Sequence, residues 1–320
     1  MSLTEQIQAM MPDLIGGKTH QQVEKEWAAH EKLMGCHVVD GVKFPFYVPQ
    51  SNLEALKTFE VRDDDVFVIT CPRSGTHWVG EIVHYVLHEG KGDFDRSFMN
   101  YAWEFTRSDD PTKMDSVTPG YKAYAAMKSP RCILTHCLER FLPLHILSGN
   151  AKVVYVARNP KDRLVSLFNM ASHWTFDEVF WGYCLEKMMF GSWFDHVLGY
   201  WKHRDNKNLL FLKYEDLHKD LRGSICKIAK HVGKDLPDDV IDGIVESVAF
   251  SGMQRTYQQL ENDLGEDGKR FTHSEGKAPY LRKGQVGDWK NTFTVAQSAL
   301  FDKIYALRME GTGLEFDFEL

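Results

Sequence analysis

The chain has 320 residues and a formal net charge of −7, and 43% of its residues are hydrophobic and 26% charged. This is the composition of a soluble globular protein with a substantial core, long enough for one large α/β domain or two ordinary ones. The acidic balance argues against general binding to nucleic acid or to a membrane surface, because both need a basic face. An anionic ligand must therefore be held by a local cluster of arginine and lysine.

The N-terminal stretch and the cysteines favour a cytoplasmic protein. The stretch MSLTEQIQAMM has neither the basic start nor the apolar core of a secretory signal, and no apolar run approaches the roughly 20 residues that span a bilayer. The cysteines stand at positions 36, 71, 132, 137, 184 and 226, without a C-x-x-C pair or a zinc-like spacing. We therefore expect reduced, mostly buried thiols and no bound metal.

Buried apolar runs that alternate with helical periodicity predict the fold. Val66 to Thr70 predicts a strand, and apolar residues at helical spacing then run from Trp78 to Leu87, before Gly90. Residues 151–157 and 208–214 predict further strands, and an amphipathic helix that stops at Gly233 follows the second of them. The pattern predicts an α/β domain with a central, mostly parallel sheet flanked by helices. Ligands of such sheets bind beyond the carboxyl ends of the strands.

The loop TCPRSGTHW (70–78) follows the first predicted strand and opens a helix. Backbone N–H groups, the helix dipole and the Ser74 and Thr76 hydroxyls suit an anion there, and Gly75 permits close approach. The loop lacks G-x-x-x-x-G-K-[ST], so ATP or GTP chemistry is poorly supported. The alternative is a tight turn with Thr76 as helix cap and Arg73 in solvent.

Two more loops at the same predicted edge carry basic residues. Arg158 ends the strand 151–157, with Ser166 in the helix that follows, and LRKGQVGDWKN (281–291) contributes Arg282 and Lys283. Taken singly, the first is most simply a solvated charge and the second a surface turn. Together, three anion sites on one edge indicate a ligand whose phosphates stand at separated positions.

Five motifs are similar in order and spacing to those of the cytosolic sulfotransferases: TCPRSGTHW, SPRCILTHCLERFLP, VVYVARNPKDRLVS, LKYEDL and LRKGQVGDWKNTFTVAQ. The resemblance runs from about residue 45 to the C-terminus, and residues 1–44 are expected to form a helical segment packed on a sulfotransferase domain of residues 45–320. It implies transfer of a sulfuryl group from 3′-phosphoadenosine-5′-phosphosulfate (PAPS) to a hydroxyl or amine of a small hydrophobic molecule. It also implies a P-loop-like phosphosulfate-binding loop on a fold related to nucleotide kinases.

The resemblance assigns the donor site residue by residue. The loop that holds the 5′-phosphosulfate corresponds to Arg73, Ser74, Gly75, Thr76 and His77. The 3′-phosphate positions correspond to Arg158, Ser166, Arg282, Lys283 and Gly284. The adenine positions correspond to Trp78, Phe250, Tyr214, Val248 and Met253. Without the resemblance, Trp78, Phe250 and Met253 would be read as ordinary core.

The resemblance makes His136 the catalytic base, with Arg73 at the reaction centre. An imidazole suits removal of the acceptor proton as the O–S bond forms. Two departures bear on turnover, because Arg73 and Leu134 stand where the family usually has lysines. A homologue that binds PAPS or the 3′,5′-bisphosphate product (PAP) with weak or lost turnover is therefore the alternative. A nucleotide kinase is more distant, because the Walker lysine is missing.

The acceptor site and the association state are less specified. FMNYAWEF (98–105) falls where the family lines its acceptor site, so Phe98, Tyr101 and Trp103 are expected to contact the substrate together with His136. The family's dimer motif has the form K-x-x-x-T-V-x-x-x-E, and here Ala299 replaces the glutamate. We expect a monomer or a weak homodimer.

Overall fold

The computed structural model describes residues 5, 7, 9, 14–94, 96, 102–106, 117–143, 145–170, 174–265, 272–274 and 278–320. Between residue 14 and the central sheet, the structure describes two short antiparallel hairpins and two helices. In chain order these are β1 (Leu14–Ile15), β2 (Lys18–Thr19), α1 (His20–Leu33), β3 (His37–Val39), β4 (Val42–Phe44) and α2 (Gln50–Leu56). A capping box between Thr19 and Gln22 fixes the start of α1.

The core is a sheet of four parallel strands in the order β6–β5–β7–β8. The strands are β5 (Val66–Thr70), β6 (Cys132–Thr135), β7 (Lys152–Ala157) and β8 (Leu209–Lys213). Every residue of β5 is buried, as expected for the apolar run of a central parallel strand. Ile69 of β5 lies opposite Thr135 on one side and Tyr155 on the other, so the three strands end at nearly one level. The predicted parallel α/β sheet is confirmed.

Helices follow the strands and flank the sheet. They are α3 (Thr76–Leu87), α4 (Gly120–Ala126), α5 (Pro160–Phe168), α6 (Phe176–Cys184), α7 (Trp193–Trp201), α8 (Tyr214–Lys219), α9 (Leu221–His231), α10 (Asp238–Val248), α11 (Phe250–Leu264) and α12 (Val295–Met309). A short hairpin of β9 (His273–Ser274) and β10 (Ala278–Pro279) and the 3₁₀ turns Glu139–Phe141 and Asp288–Asn291 complete these elements. No helix in the described ranges is long and apolar enough to cross a membrane.

Local sequence explains where these helices begin and end. The Asn159 side chain accepts a hydrogen bond from the Asp162 backbone, and Pro160 occupies the first turn, so α5 starts immediately after β7. Gly233 adopts a φ of +76° just beyond α9 and ends that helix as the sequence predicts. Tight strand-to-helix junctions such as the one before α5 place the next side chains at the edge of the sheet.

The six cysteines are free thiols, and four of them are buried.

Candidate active site

A cavity of about 660 Å³ lies beyond the carboxyl ends of the four strands. The segment that follows each strand contributes to its wall, including Arg73 after β5, His136 after β6, Arg158 after β7 and Tyr214 after β8. The cavity also includes residues of α1, α11 and the loop 280–285. The structure thus brings the three predicted anion loops and the predicted base into one site.

The loop between β5 and α3 is held in a conformation suited to close contact with a ligand. Arg73 has a φ of +72° and Gly75 a φ of +102°, and the former is unusual for a residue with a side chain. A Cβ atom at Gly75 would lie 2.9 Å from the Tyr214 ring, so glycine is needed for space as well as conformation. Gly75, and not Thr76, is the N-cap of α3. Ser74 is fully buried, and its hydroxyl has no hydrogen-bond partner among the described residues.

Arg73 turns into the cavity and not into solvent. Its Nε donates a hydrogen bond of 3.1 Å to Oγ of Ser166, and both residues line the cavity. Burial lowers the pKa of Arg73 to about 10, and the nearby cations Arg158 and Arg282 act in the same direction. Crowded cations of this kind form a site whose electrostatic cost an anionic ligand offsets.

Three other basic residues of the cavity wall differ in how strongly a carboxylate neutralises them. Arg158 is buried, lies 4.3 Å above the Tyr214 ring, and donates only to the backbone carbonyls of Arg73 and Gln285 in the described structure. Arg282 donates to the Asp288 carboxylate at 2.6 Å, and Lys283 does so at the same distance. Burial would raise the pKa of Asp288, but these hydrogen bonds outweigh it and hold that pKa below its usual range. Arg158 therefore retains more of its charge for a ligand.

One part of the cavity near these cations has an apolar wall, and we call it the slot. Its wall contains Trp78, Tyr214, Phe250 and Met253, with His77 nearby against Tyr280. Gly284 completes the slot, because its φ is +59° and a Cβ there would lie 2.4 Å from the Phe250 ring. Val248 does not line the cavity. Its side chain is fully buried, and its carbonyl accepts a 2.8 Å hydrogen bond from Nε1 of Trp78, which orients the indole.

His136 has one nitrogen fixed and the other available. Nδ1 lies 2.8 Å from the Thr70 carbonyl oxygen, which can only accept, so Nδ1 carries the proton and Nε2 carries a lone pair. Burial lowers the pKa of His136 to about 4, which keeps the imidazole neutral at physiological pH. The imidazole ring lies beside two phenyl rings, with its centroid 6.1 Å from that of Phe105 and 6.0 Å from that of Phe190.

Buried polar groups hold the backbone on which His136 stands. Glu104 accepts from the His136 backbone N–H at 3.0 Å and from the Thr135 hydroxyl at 2.7 Å, and burial raises its pKa to about 7. From the other side, Nε2 of His196 donates to the His136 carbonyl at 3.1 Å. Glu104 belongs to the FMNYAWEF stretch but was not predicted, because a carboxylate beside aromatic residues gives no sign of what it bonds.

The predicted acceptor residues fare unevenly. Trp103 is fully buried against Phe59 and Phe67 in the core and does not line the cavity, which corrects the expectation from its aromatic ring. Phe98 and Tyr101 lie outside the described residues. The apolar wall near His136 is formed instead by residues the sequence did not single out: Tyr47, Ala102, Phe105, Met170, Trp174, Met188, Met189 and Phe190.

Helix α1 also contributes to the cavity. Trp27, His30, Leu33 and Met34 form part of the wall, and Trp27 stacks on Trp174 with the ring centroids 4.8 Å apart. Glycine at position 182 leaves space for the Trp27 indole, because a Cβ there would lie 2.1 Å from Trp27. Sequence gave no signal for this role, since an amphipathic helix outside the motifs indicates packing only.

A cavity at the carboxyl edge of a parallel sheet, with clustered cations, apolar walls and a neutral imidazole, suits an enzyme that transfers a group from an anionic donor. The protein-family model of the sulfotransferase domain matches residues 63–313 of the sequence. The chain belongs to this family, and the predicted class, a PAPS-dependent sulfotransferase, is confirmed.

Individual relatives agree with this membership. The rat sulfotransferase 1C2 is 36% identical over 282 residues, covering 84% of this chain and 91% of the relative. The rabbit amine sulfotransferase is 37% identical over 289 residues, covering 85% and 90%. Among solved structures, mouse sulfotransferase SULT7A1, complexed with PAP, superposes with a TM-score of 0.69 at 27% identity, covering 86% of this chain and 94% of that one.

Proposed function

We propose that this sulfotransferase acts on a hydroxyl, or an amine, of a small hydrophobic acceptor, with His136 as general base. One observation carries the proposal: the free nitrogen belongs to a neutral, tautomer-fixed imidazole that lies beside Phe105 and Phe190 and lines the same cavity as Arg73. Nε2 of His136 takes the acceptor proton as the acceptor oxygen bonds to sulfur. PAPS, when bound, supplies the sulfuryl group and leaves as PAP.

The described residues fit such a donor. Arg73, with the Ser74, Gly75, Thr76 and His77 positions, suits the 5′-phosphosulfate. Arg158, Ser166, Arg282, Lys283 and Gly284 suit the 3′-phosphate, and the slot of Trp78, Tyr214, Phe250 and Met253 suits the adenine. The unpartnered buried hydroxyl of Ser74 and the glycine cradles at 75 and 284 are features that a close anionic ligand explains. At the moment of transfer, Arg73 stabilises the negative charge that develops on the leaving phosphate.

The acceptor is inferred from the apolar end of the cavity. Aromatic and methionine side chains from residues 27–34, 170 and 174–190 line the same cavity as His136, and they suit a large apolar molecule with one polar group. Helix α1, within residues 1–44, contributes to this acceptor wall, which supports the packing of that segment on a sulfotransferase domain of residues 45–320. Free, mostly buried thiols support a cytoplasmic location.

Transfer of labelled sulfate from PAPS across a panel of phenols, steroids, amines and alkanols tests the proposal. We expect transfer to at least one apolar acceptor and little to small polar alcohols. Tight PAP binding without transfer to any acceptor would instead support the homologue without turnover. Full transfer by a His136→Ala variant would remove His136 from the mechanism.

A further inference from the structure

Arg163, in α5, is a buried cation without a carboxylate partner. Only 1% of its surface is exposed. Nε donates a 2.9 Å hydrogen bond to the Pro72 carbonyl, and Nη1 is buried with no hydrogen-bond partner among the described residues. The described acidic side chains form no ion pair with it. A guanidinium in this setting is costly for the ligand-free protein.

A second buried arginine shows what a structural role looks like in this fold. Arg131 is 2% exposed, and its Nε and Nη2 reach the two oxygens of Asp65 at 2.7 and 2.6 Å. Its remaining donors bond to the Tyr124 and Glu60 carbonyls. Arg131 is thus fully compensated and does not line the cavity. Arg163 has no carboxylate partner among the described residues, only the Pro72 carbonyl and the Tyr183 ring 5.9 Å away, and it does line the cavity.

The position of Arg163 indicates which group compensates it. Its Nε donates to the carbonyl of Pro72, which directly precedes Arg73, so the guanidinium is hydrogen-bonded to the backbone of the anion loop. Arg163 is also close enough to His136 for its charge to contribute, after burial, to the lowered pKa of that imidazole. It therefore lies close to both the anion loop and the proposed base.

We propose that Arg163 is a further anion-binding residue of this site, a fixed positive charge behind the loop 72–76 that the phosphosulfate end of the donor neutralises. The inference rests on the proposed function, because it needs an anionic donor in this cavity. It gives the reaction centre a cation besides Arg73. The charge strengthens donor binding and favours the leaving bisphosphate in the transition state.

A structural alternative is that Arg163 only holds the Pro72 carbonyl. The two roles predict opposite changes in the ligand-free protein. Replacing an uncompensated buried charge by an apolar side chain of similar length leaves stability unchanged or higher, whereas loss of a needed structural contact lowers it. Arg163→Met separates them, and Arg131→Met is the matched control, because it breaks a compensated buried pair remote from the donor.

The experiment measures the melting temperature of the ligand-free protein and the dissociation constant of PAP by calorimetry. For Arg163→Met we expect an unchanged or higher melting temperature and PAP binding weakened about tenfold or more. Arg131→Met should melt at a lower temperature and, where folded, bind PAP as the parent does. Arg163→Lys keeps the charge without the planar fork, and its PAP affinity should stay within about tenfold of the parent.

Three results would overturn the proposal. In the first, Arg163→Met binds PAP as tightly as the parent. In the second, Arg163→Met unfolds or melts several degrees lower, and Arg163→Lys restores the melting temperature of the parent. Either result marks Arg163 as structural and leaves the proposed function intact. A parent protein that does not bind PAP would overturn both together.

Discussion

Nε of Arg73 donates a 3.1 Å hydrogen bond to Oγ of Ser166, and this contact joins the loop after β5 to helix α5. A guanidinium that is already anchored through Nε keeps its two terminal nitrogens for other acceptors. A planar fork held in this way suits the bidentate recognition of phosphate or sulfate oxygens. The arginine in the usual lysine position is thus part of a shaped site.

The first prediction concerns this arginine. Arg73→Ala should lower both PAP affinity and the transfer rate, because a charged contact in a partly dry site is lost. Arg73→Lys keeps the charge but cannot donate from an Nε position to Ser166, and we expect transfer within about tenfold of the parent. Single-turnover rates and PAP titrations check both variants. Loss of all transfer in Arg73→Lys would show that the fork itself is required.

The second prediction compares two cations at the proposed 3′-phosphate site. Arg158→Ala should weaken PAP binding by about 1.5–3 kcal/mol, because Arg158 donates only to carbonyls in the described structure. Arg282→Ala should weaken it less, since Asp288 already neutralises much of that charge. The measurement is the PAP-induced rise in melting temperature, with 5′-AMP as control. Equal stabilisation of the parent by 5′-AMP would contradict the two-phosphate site.

The third prediction tests the adenine slot through its glycine. Gly284→Ala should weaken PAP binding at least about tenfold, because the new Cβ meets the Phe250 ring at 2.4 Å. Gly233→Ala is the matched control. Gly233 has a φ of +76°, similar in kind to the +59° of Gly284, but has no atom within 4 Å of the added Cβ. The two variants share backbone strain, so an equal loss of PAP affinity would exclude the steric role of Gly284.

The sequence predicted well the features that the path of the backbone determines, namely the strands and the loops that follow them. Strand Val66–Thr70 was predicted with its observed bounds, and the other two predicted strands lie within one residue of the observed ones at each end. The loops after β5 and β7 came together because parallel strands end at one edge of the sheet. Periodicity and strand polarity are local properties, so they are legible in a single chain.

What the sequence could not predict depended on side-chain direction. Trp103 and Phe105 are two residues apart, yet the first lies in the core and the second faces His136. Residues 102–106 form no strand that would fix which face is buried, so an aromatic segment predicts apolar contact without its partner. Arg163 was hidden for a related reason, because an arginine in the PKDRLVS helix is exposed in most proteins.

The fourth prediction concerns association. In the segment with the incomplete dimer motif, Lys290 pairs with Glu319 of its own chain at 2.6 Å, and Val295 is 89% exposed. A lysine engaged within its own chain and a missing glutamate leave little for a partner, so we expect a monomer or a weak homodimer. Sedimentation over a range of concentrations checks this. A tight dimer that Val295→Lys dissociates would contradict it.

The last prediction concerns the pH dependence that His136 should impose. Burial lowers its pKa from 6.5 to about 4, so the base is lost by protonation only near pH 4. For an acceptor with no ionisable group in this range, kcat/KM of the parent should therefore not fall through an imidazole of ordinary pKa near 6.5. A carboxyl does titrate nearby, because burial raises the pKa of Glu104 to about 7. A small inflection near pH 7 that Glu104→Gln removes would belong to that group.

The same histidine gives the decisive variant. His136→Ala should lower the rate of transfer by roughly 10²–10⁴-fold, the usual contribution of a positioned base, and leave PAP affinity almost unchanged. His203→Ala is the control, because His203 pairs with Glu139 at 3.0 Å and does not line the cavity. Binding and rate must be measured on the same preparations, since a misfolded variant would lose both. Full activity of His136→Ala on a good acceptor would exclude this mechanism even with PAPS as the donor. Loss of rate with PAP binding retained would instead show that the proton acceptor is distinct from the cations that hold the nucleotide.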